Sequence, residues 1–316
     1  MKTGTAVSES PGTDQNHRLT DLMVAGVILL AVLFSFRQIS SLDAGFHLKT
    51  GGYILAHGWP TTDSFTYTVN DHRYTDMSWG YQIMLYGVNR LGGNAGMVLF
   101  TSALVAGLFI VLYRSVKLVR ADPISTPVLF LVAVLACESR FNIRPEHTSY
   151  LYLALMMHIL YRHAESKRTP LWVLPILQLF WTNTHGLFMM GLAVQGCTFL
   201  GLMVRDRRPD FRLAAWSLAS AAVIFINPYG CQGATEPFFM LTRLRADNLF
   251  YHRIAELISP FNLVVTTQYP FLAWVNMYSF RGFLVLSGLA LWPALRRRRY
   301  WIILNWLVFA AVATRA

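Results

Sequence analysis

"LMVAGVILLAVLFSFRQISSLDAGFHLKTGGYILAHG", Leu22 to Gly58, joins an unbroken apolar run to a short charged segment. The run predicts a helix over 20–37, long enough for a bilayer, which takes about 17–25 apolar residues. Where it stops, Asp43, His47, Lys49 and His57 follow. A plain connector between two membrane helices needs only a few polar turn residues, and this one has helical periodicity instead. Ser41 can cap such a helix, and Asp43 then sits in its first turn, where the helix dipole favours a carboxylate. Asp43, His47, Thr50 and Ile54 share one face at helical spacing. Phe46, Tyr53 and Leu55 are left for headgroups or neighbouring helices, and Gly58, Trp59 and Pro60 stop the segment. The reading is an interfacial helix at the outer surface, its acidic end above the mouth of the first membrane helix.

The rest of the chain has the same character. Of 316 residues, 54% are hydrophobic and 14% charged, against roughly 25% charged in soluble domains. Apolar runs predict membrane helices near 20–37, 95–116, 125–140, 147–163, 171–184, 186–204, 213–227, 271–294 and 300–316. The pair 171–184 and 186–204 bends at His185–Gly186. The expected fold class is therefore an all-α polytopic membrane protein of about nine transmembrane helices. A polar tail (1–18) precedes the first run with no small-residue cleavage site after it, which reads as an uncleaved signal anchor.

The net charge of +11 would suggest nucleic acid in a soluble protein. Here the basic residues fall in short clusters between apolar runs, and no nucleic-acid partner is expected. Lys2 and Arg18; Lys117 and Arg120; Arg162, Lys167 and Arg168; Arg205, Arg207, Arg208 and Arg212; and Arg296 to Arg299 occur at alternate helix ends. The positive-inside rule puts these ends, and the N-terminus, in the cytoplasm. The opposite side receives loop 38–94, the short loop from Arg140 to Glu146, the His185 bend and loop 228–270. Long loops on a rigid scaffold are where function concentrates, so the working face is expected to be extracytoplasmic. Loop 38–94 continues with an extended piece at Phe65 to Val69, a turn at Asn70–Asp71 and an amphipathic helix over 77–91, and adds Asp63, Asp71 and Asp76. Cys137, Cys197 and Cys231 show no metal-ligand spacing, and no other motif for a metal is present, so a cofactor is unknown and a divalent metal remains admissible. No internal repeat is evident.

Bland readings stand beside the chemical ones. Asp43 is equally a helix-end charge, His47 and His57 are equally amphipathic interfacial residues, and Arg140 and Arg144 are equally snorkelling cations. A resemblance shifts the balance. "DAGFHLKTGGYILAHGWPTTDSFTYT" (Asp43 to Thr68), "MSWGYQIMLYGVNRLGG" (Met77 to Gly93), "RPEHTSYLYLAL" (Arg144 to Leu155), "FWTNTHGLFMMG" (Phe180 to Gly191), "INPYG" (Ile226 to Gly230) and "IAELISP" (Ile254 to Pro260) occur in order along most of the chain. Together they resemble the GT-C superfamily of polytopic glycosyltransferases, of the protein O-mannosyltransferase and aminoarabinose-transferase type, in a bacterial branch. The resemblance implies a bacterial inner-membrane enzyme that takes a sugar from a polyprenyl-phosphate donor. The acceptor is a glycan, lipid or protein outside the cytoplasm. It also implies an acid in the first outer loop that acts on the acceptor, and Asp43 occupies that place. Ala44 follows where much of the superfamily has a second acid, which leaves Asp63 or Asp76 for that role. The last apolar run ends at "VATRA", where relatives continue, so a fragment or a short member is expected.

The chemistry needs a base for the acceptor hydroxyl and cations for the departing phosphate. Asp43, with Asp63 and Asp76, supplies candidate catalytic carboxylates. His47, Lys49, Arg140, Arg144, His147 and His185 are candidate phosphate ligands, and Asn183 and Glu256 are further candidates. Two other classes stay open. A transporter or flippase for lipid-linked sugars would place ionisable residues in mid-membrane. A non-catalytic envelope-assembly protein would need none of this chemistry.

Overall fold

A computed structural model of the chain describes residues 11–41, 43–66, 72–119, 122–166, 168–243, 261 and 271–315. Among these residues the chain is helical, with no strand and an isolated antiparallel bridge between Thr62 and Arg73. The helices are α1 (Pro11–Ser35), α2 (Asp43–His57), α3 (Trp79–Leu118), α4 (Ser125–Cys137), α5 (Glu146–Ser166), α6 (Val173–Thr182), α7 (Met189–Asp206), α8 (Phe211–Val223), α9 (Cys231–Arg243), α10 (Phe271–Leu289), α11 (Leu291–Arg296) and α12 (Tyr300–Arg315).

Four segments of the described chain are long and apolar enough to cross a membrane: Arg18–Ser35, Trp79–Leu118, Gly186–Asp206 and Phe271–Arg296. Val173–Thr182, Phe211–Val223 and Tyr300–Ala313 are shorter apolar helices. The outward faces are apolar too. Leu22 and Leu29 on α1 and Val285 and Leu289 on α10 are exposed, where a water-soluble bundle would present charge. This is an all-helical membrane protein.

Each apolar run of the sequence falls on helix, the run over 271–294 on two, α10 and α11. The helices expected over 77–91 and 95–116 are the two halves of α3, which meet at a kink at Gly93 (φ 57°, ψ −148°). That backbone region is open in practice only to glycine, because any Cβ would clash with its own carbonyl. One helix was not expected: α9 lies in what reads from sequence as loop, and Pro237 is inside it. The rest of loop 228–270 lies mostly outside the described residues, as does the turn at Asn70–Asp71. The extended piece expected at Phe65 to Val69 also lies mostly outside the described residues; flanking it, residues 61–63 pair with 72–74, with Asp63 N donating to His72 O at 2.8 Å and Tyr74 N to Thr61 O at 2.9 Å. Ser41 does not cap α2 through its side chain; its carbonyl accepts from Ala44 N at 3.3 Å.

Three apolar cores hold the bundle. Val24 and Ala31 of α1 pack with Val105 and Phe109 of α3 and Val134 of α4. Leu160, Leu174, Trp181, Leu202, Leu213 and Trp301 join α5, α6, α7, α8 and α12. Ala44, Tyr81, Leu85 and Met97 pin α2 against α3.

The polar contacts separate into two ends. At one, Lys117 pairs with Asp21 at 2.9 Å and Arg299 with Glu165 at 3.2 Å. There also Arg205 donates to Ala164 O at 3.1 Å and Arg212 to Thr169 O at 2.8 Å. The basic clusters that the sequence places at alternate helix ends therefore meet at one end of the bundle, as far as they are described. At the other end, the start of α2, the α4–α5 connection, the α6–α7 bend and the turn after α8 come together. Arg37 pairs with Glu138 there, and Asn276 donates to the other oxygen of Glu138 at 3.2 Å, tying α1, α4 and α10.

Candidate functional site

The site lies at this second end and is built on α2. Its helical spacing puts Ala44, His47, Thr50, Gly51 and Ile54 inward, against the first half of α3. Asp43 stands at the rim of that face, half exposed, as a first-turn carboxylate should. Across from it, Arg144 comes from the α4–α5 connection, just before Pro145, whose carbonyl accepts from Thr148 N at 3.1 Å in the first turn of α5. Arg144 Nη2 lies 3.5 Å from Asp43 Oδ2. Residues that the sequence keeps far apart, one candidate base and one candidate phosphate ligand, thus meet at the same mouth.

Behind this pair lie three histidines. His47 is buried, its ring edge-on to Tyr81 and Phe46. Its pKa is held down to about 4 by burial, with Asp43 pulling upward and Arg144 pushing down. His147 is 2% exposed, with Nδ1 3.1 Å from the carbonyl of Arg144. His185 sits at the α6–α7 bend, with Nδ1 2.8 Å from Ser149 Oγ, which also accepts from Trp181 Nε1 at 2.7 Å. Burial lowers the pKa of His185 to about 4 as well, and His47 and His147 add to the effect. Arg140 lies on the turn Glu138–Arg140, just before the connection that carries Arg144.

Asp76 enters from the loop before α3. It is 5% exposed. Its Oδ1 accepts from Ser78 N at 2.8 Å and from Gln82 Nε2 at 3.3 Å. The same Gln82 nitrogen lies 3.4 Å from His47 Nδ1. Burial raises the pKa of Asp76 to about 6, opposed by these donors and by Tyr74. A buried acid shifted this far toward neutrality is a feature that catalytic sites share.

The remaining candidates separate from this group. Asp63 accepts from Phe65 N and Thr66 N, both at 2.9 Å, and from the Thr66 hydroxyl, so its carboxylate closes its own turn. These hydrogen bonds, the Thr66 hydroxyl's first, hold its pKa below the ordinary value. Lys49 is exposed on α2. Asn183 is a tie: its Oδ1 accepts from Trp79 Nε1 at 3.1 Å and its Nδ2 donates to Leu179 O and Ile226 O at 2.8 and 3.0 Å. Its carbonyl receives Gly80 N at 2.9 Å, an approach so close that a Cβ at Gly80 would collide with it. The "INPYG" turn docks on the first loop through Tyr229 Oη to Pro60 O at 3.1 Å. Glu256 lies outside the described residues.

Gln82, Ser149 and Tyr74 were not foreseen. Neutral side chains carry no charge signal in a sequence, and the Asp76–Gln82 spacing follows no helical face. Among the described residues, no group of three or more His, Cys, Asp or Glu side chains is arranged to hold a metal ion. No family model, curated protein or solved structure matches the chain.

Proposed function

We propose that this chain is a membrane glycosyltransferase that moves a sugar from a polyprenyl-phosphate donor to a hydroxyl of an extracytoplasmic glycan, lipid or protein. One observation carries the reading: Asp43 and Arg144, a candidate base and a candidate phosphate ligand from distant parts of the sequence, meet at 3.5 Å. The reaction needs this juxtaposition of a base and a phosphate ligand. In the proposed step Asp43 takes the proton of the acceptor hydroxyl as its oxygen bonds to the anomeric carbon. The bond from that carbon to the phosphate oxygen breaks, and the electron pair leaves with the polyprenyl phosphate. Arg144 meets the charge that develops there, and its planar fork suits two phosphate oxygens. Phosphate binding at Arg144 also draws it from Asp43, leaving the carboxylate for the acceptor.

The proposal includes the nine-span topology, a cytoplasmic basic end and a site at the outer face of a bacterial inner membrane. The convergence of the described basic clusters at the end opposite the site supports this orientation.

The test is sugar transfer from a lipid-linked donor in liposomes carrying the full chain. Asp43→Asn keeps the shape and removes the charge. It should lower transfer by roughly two orders of magnitude or more, while an exposed first-turn acid contributes only about 0.3–1 kcal/mol to its helix. The same change at Asp63 should have the smaller effect. Full activity in Asp43→Asn would refute the assignment of the base.

A further inference from the structure

α8 shows how this chain meets lipid. Phe211, Ala215, Leu218, Ala222 and Phe225 recur at helical spacing and all are exposed, so an uncharged stripe runs the length of α8 and into the turn that follows. It starts at the basic end of the bundle, next to Arg212, and stops at the site's end, where Ile226 is exposed beside Phe225. α9 leaves from there in a direction that the turn 224–230 fixes. Asn227 Nδ2 donates to Ile224 O and Gly230 O at 2.8 and 2.9 Å, and Asn227 Oδ1 accepts from Tyr229 N at 2.9 Å. Gly233 packs so closely on the Asn227 amide that a Cβ would collide with it. The first half of α9 is therefore docked: Ala234 is buried in the core that joins α5, α6, α7, α8 and α12, and α9 rests on the turn 186–188.

Beyond Pro237 the surroundings change. Phe238, Phe239 and Met240 are 52%, 55% and 42% exposed. Three consecutive helical positions, about 100° apart, point to more than half of the circumference. A protein partner that grips a helix takes one face of it; apolar side chains turned in several directions call for a solvent that is itself apolar. Among the described side chains of α9, Glu236 alone is charged, and it is partly buried. We propose that α9 is an interfacial helix whose second half, Phe238 to Met240, lies in the boundary between headgroups and acyl chains of the leaflet at the site's end of the bundle. The partner is the bilayer surface, continuous with the lipid stripe of α8, and the hold is apolar area and not charge. This inference stands apart from the transferase reading, yet it reaches the site. Gln232, in the docked half, donates to the Thr75 hydroxyl next to Asp76, and Tyr229 Oη donates to Pro60 O at 3.1 Å. The helix that the leaflet holds thereby holds the loop that carries Asp76.

The test uses the full, unaltered chain in phosphatidylcholine vesicles that contain a phospholipid with a photoactivatable diazirine near the top of one acyl chain. After illumination, peptide mass spectrometry locates the attached lipid, and Phe225 and Ile226 serve as the internal standard. Label on Phe238 to Met240 should match theirs, and should stay the same when phosphatidylglycerol is added or the salt is raised. Phe238→Ser combined with Phe239→Ser should lose the label from α9 and keep it at Phe225 and Ile226. Label at Phe225 and Ile226 with none on Phe238 to Met240 refutes the proposal, because α9 is then covered by protein. Label on α9 that needs the anionic lipid, or that high salt removes, refutes the apolar seat. An undiminished α9 label in the double variant refutes the role of the two phenylalanines. Absence of label from both regions takes the bilayer contact away altogether.

Discussion

Asp76→Asn should relieve the protein of a burden it carries at neutral pH. Burial raises the pKa of Asp76 from 3.8 to about 6. The folded chain therefore binds this proton more tightly than the unfolded chain does. The contribution of Asp76 is then fully present below the unfolded pKa of 3.8 and is lost as pH rises through about 6. At about 1.36 kcal/mol per unit, the loss is about 3 kcal/mol by pH 7. Asparagine has no such dependence. It does put an amide nitrogen where Asp76 Oδ2 is buried without a hydrogen-bond partner, at a cost of about 1–3 kcal/mol that does not vary with pH. The diagnostic is therefore the slope and not the level. Unfolding free energy in detergent, measured for parent and variant from pH 3 to 7, should shift in the variant's favour by about 3 kcal/mol across that range. His47 and His185 act in the opposite direction: with folded pKa values lowered to about 4, their contribution is present above 6.5 and lost as pH falls. Both chains carry them, so they drop out of the difference. Parallel curves would refute the claim that Asp76 is buried and strained toward neutrality.

Three further outcomes are expected. Arg144→Ala should weaken binding of polyprenyl phosphate by about 1.5–3 kcal/mol, the range for a charge-assisted hydrogen bond, read as a rise in Kd with little change in melting temperature. Gly93→Ala should lower stability by about 1–3 kcal/mol, since its φ of 57° and ψ of −148° exclude a side chain; an unchanged unfolding curve would count against the bend. A reporter placed after Arg208 should read cytoplasmic and one inserted near Asn70 extracytoplasmic, and a cytoplasmic result at Asn70 would overturn the orientation.

The helices were legible because apolar runs of this length have few alternatives, and the inward face of α2 was legible because His47, Thr50 and Ile54 repeat at helical spacing. The two helices expected over 77–91 and 95–116 are there, meeting at the kink at Gly93. What the sequence could not supply was distance. Nothing local to Asp43 names Arg144 as its neighbour, since their meeting depends on how α2 and the α4–α5 connection pack on α3. Asp63 and Asp76 look alike as loop acids, yet one closes a surface turn and the other is sealed behind Ser78 and Gln82. Asn183, a further site candidate in the sequence, has its amide bonded to α3, α6 and the turn after α8. The segment around α9 does carry a helical period, but it is short and holds Pro237, which in a sequence reads as a helix breaker.

The first half of α3 behaves as a ruler. It is fixed at its start, where Gly80 N meets the Asn183 carbonyl at 2.9 Å, and at its far end by the bend at Gly93. Between those points about a dozen residues rise roughly 20 Å at 1.5 Å each. Gln82, which touches both Asp76 and His47, rides on this span. Exchanging side chains along its outer face leaves both ends where they are. Adding or removing one residue does not: it turns everything beyond by about 100° and shifts it by about 1.5 Å. Either Gln82 leaves its two partners or the bend leaves the membrane helix. The site is thus far more sensitive to the length of this span than to its composition, and a single-residue deletion there, well away from Asp43 and Arg144, should dismantle it.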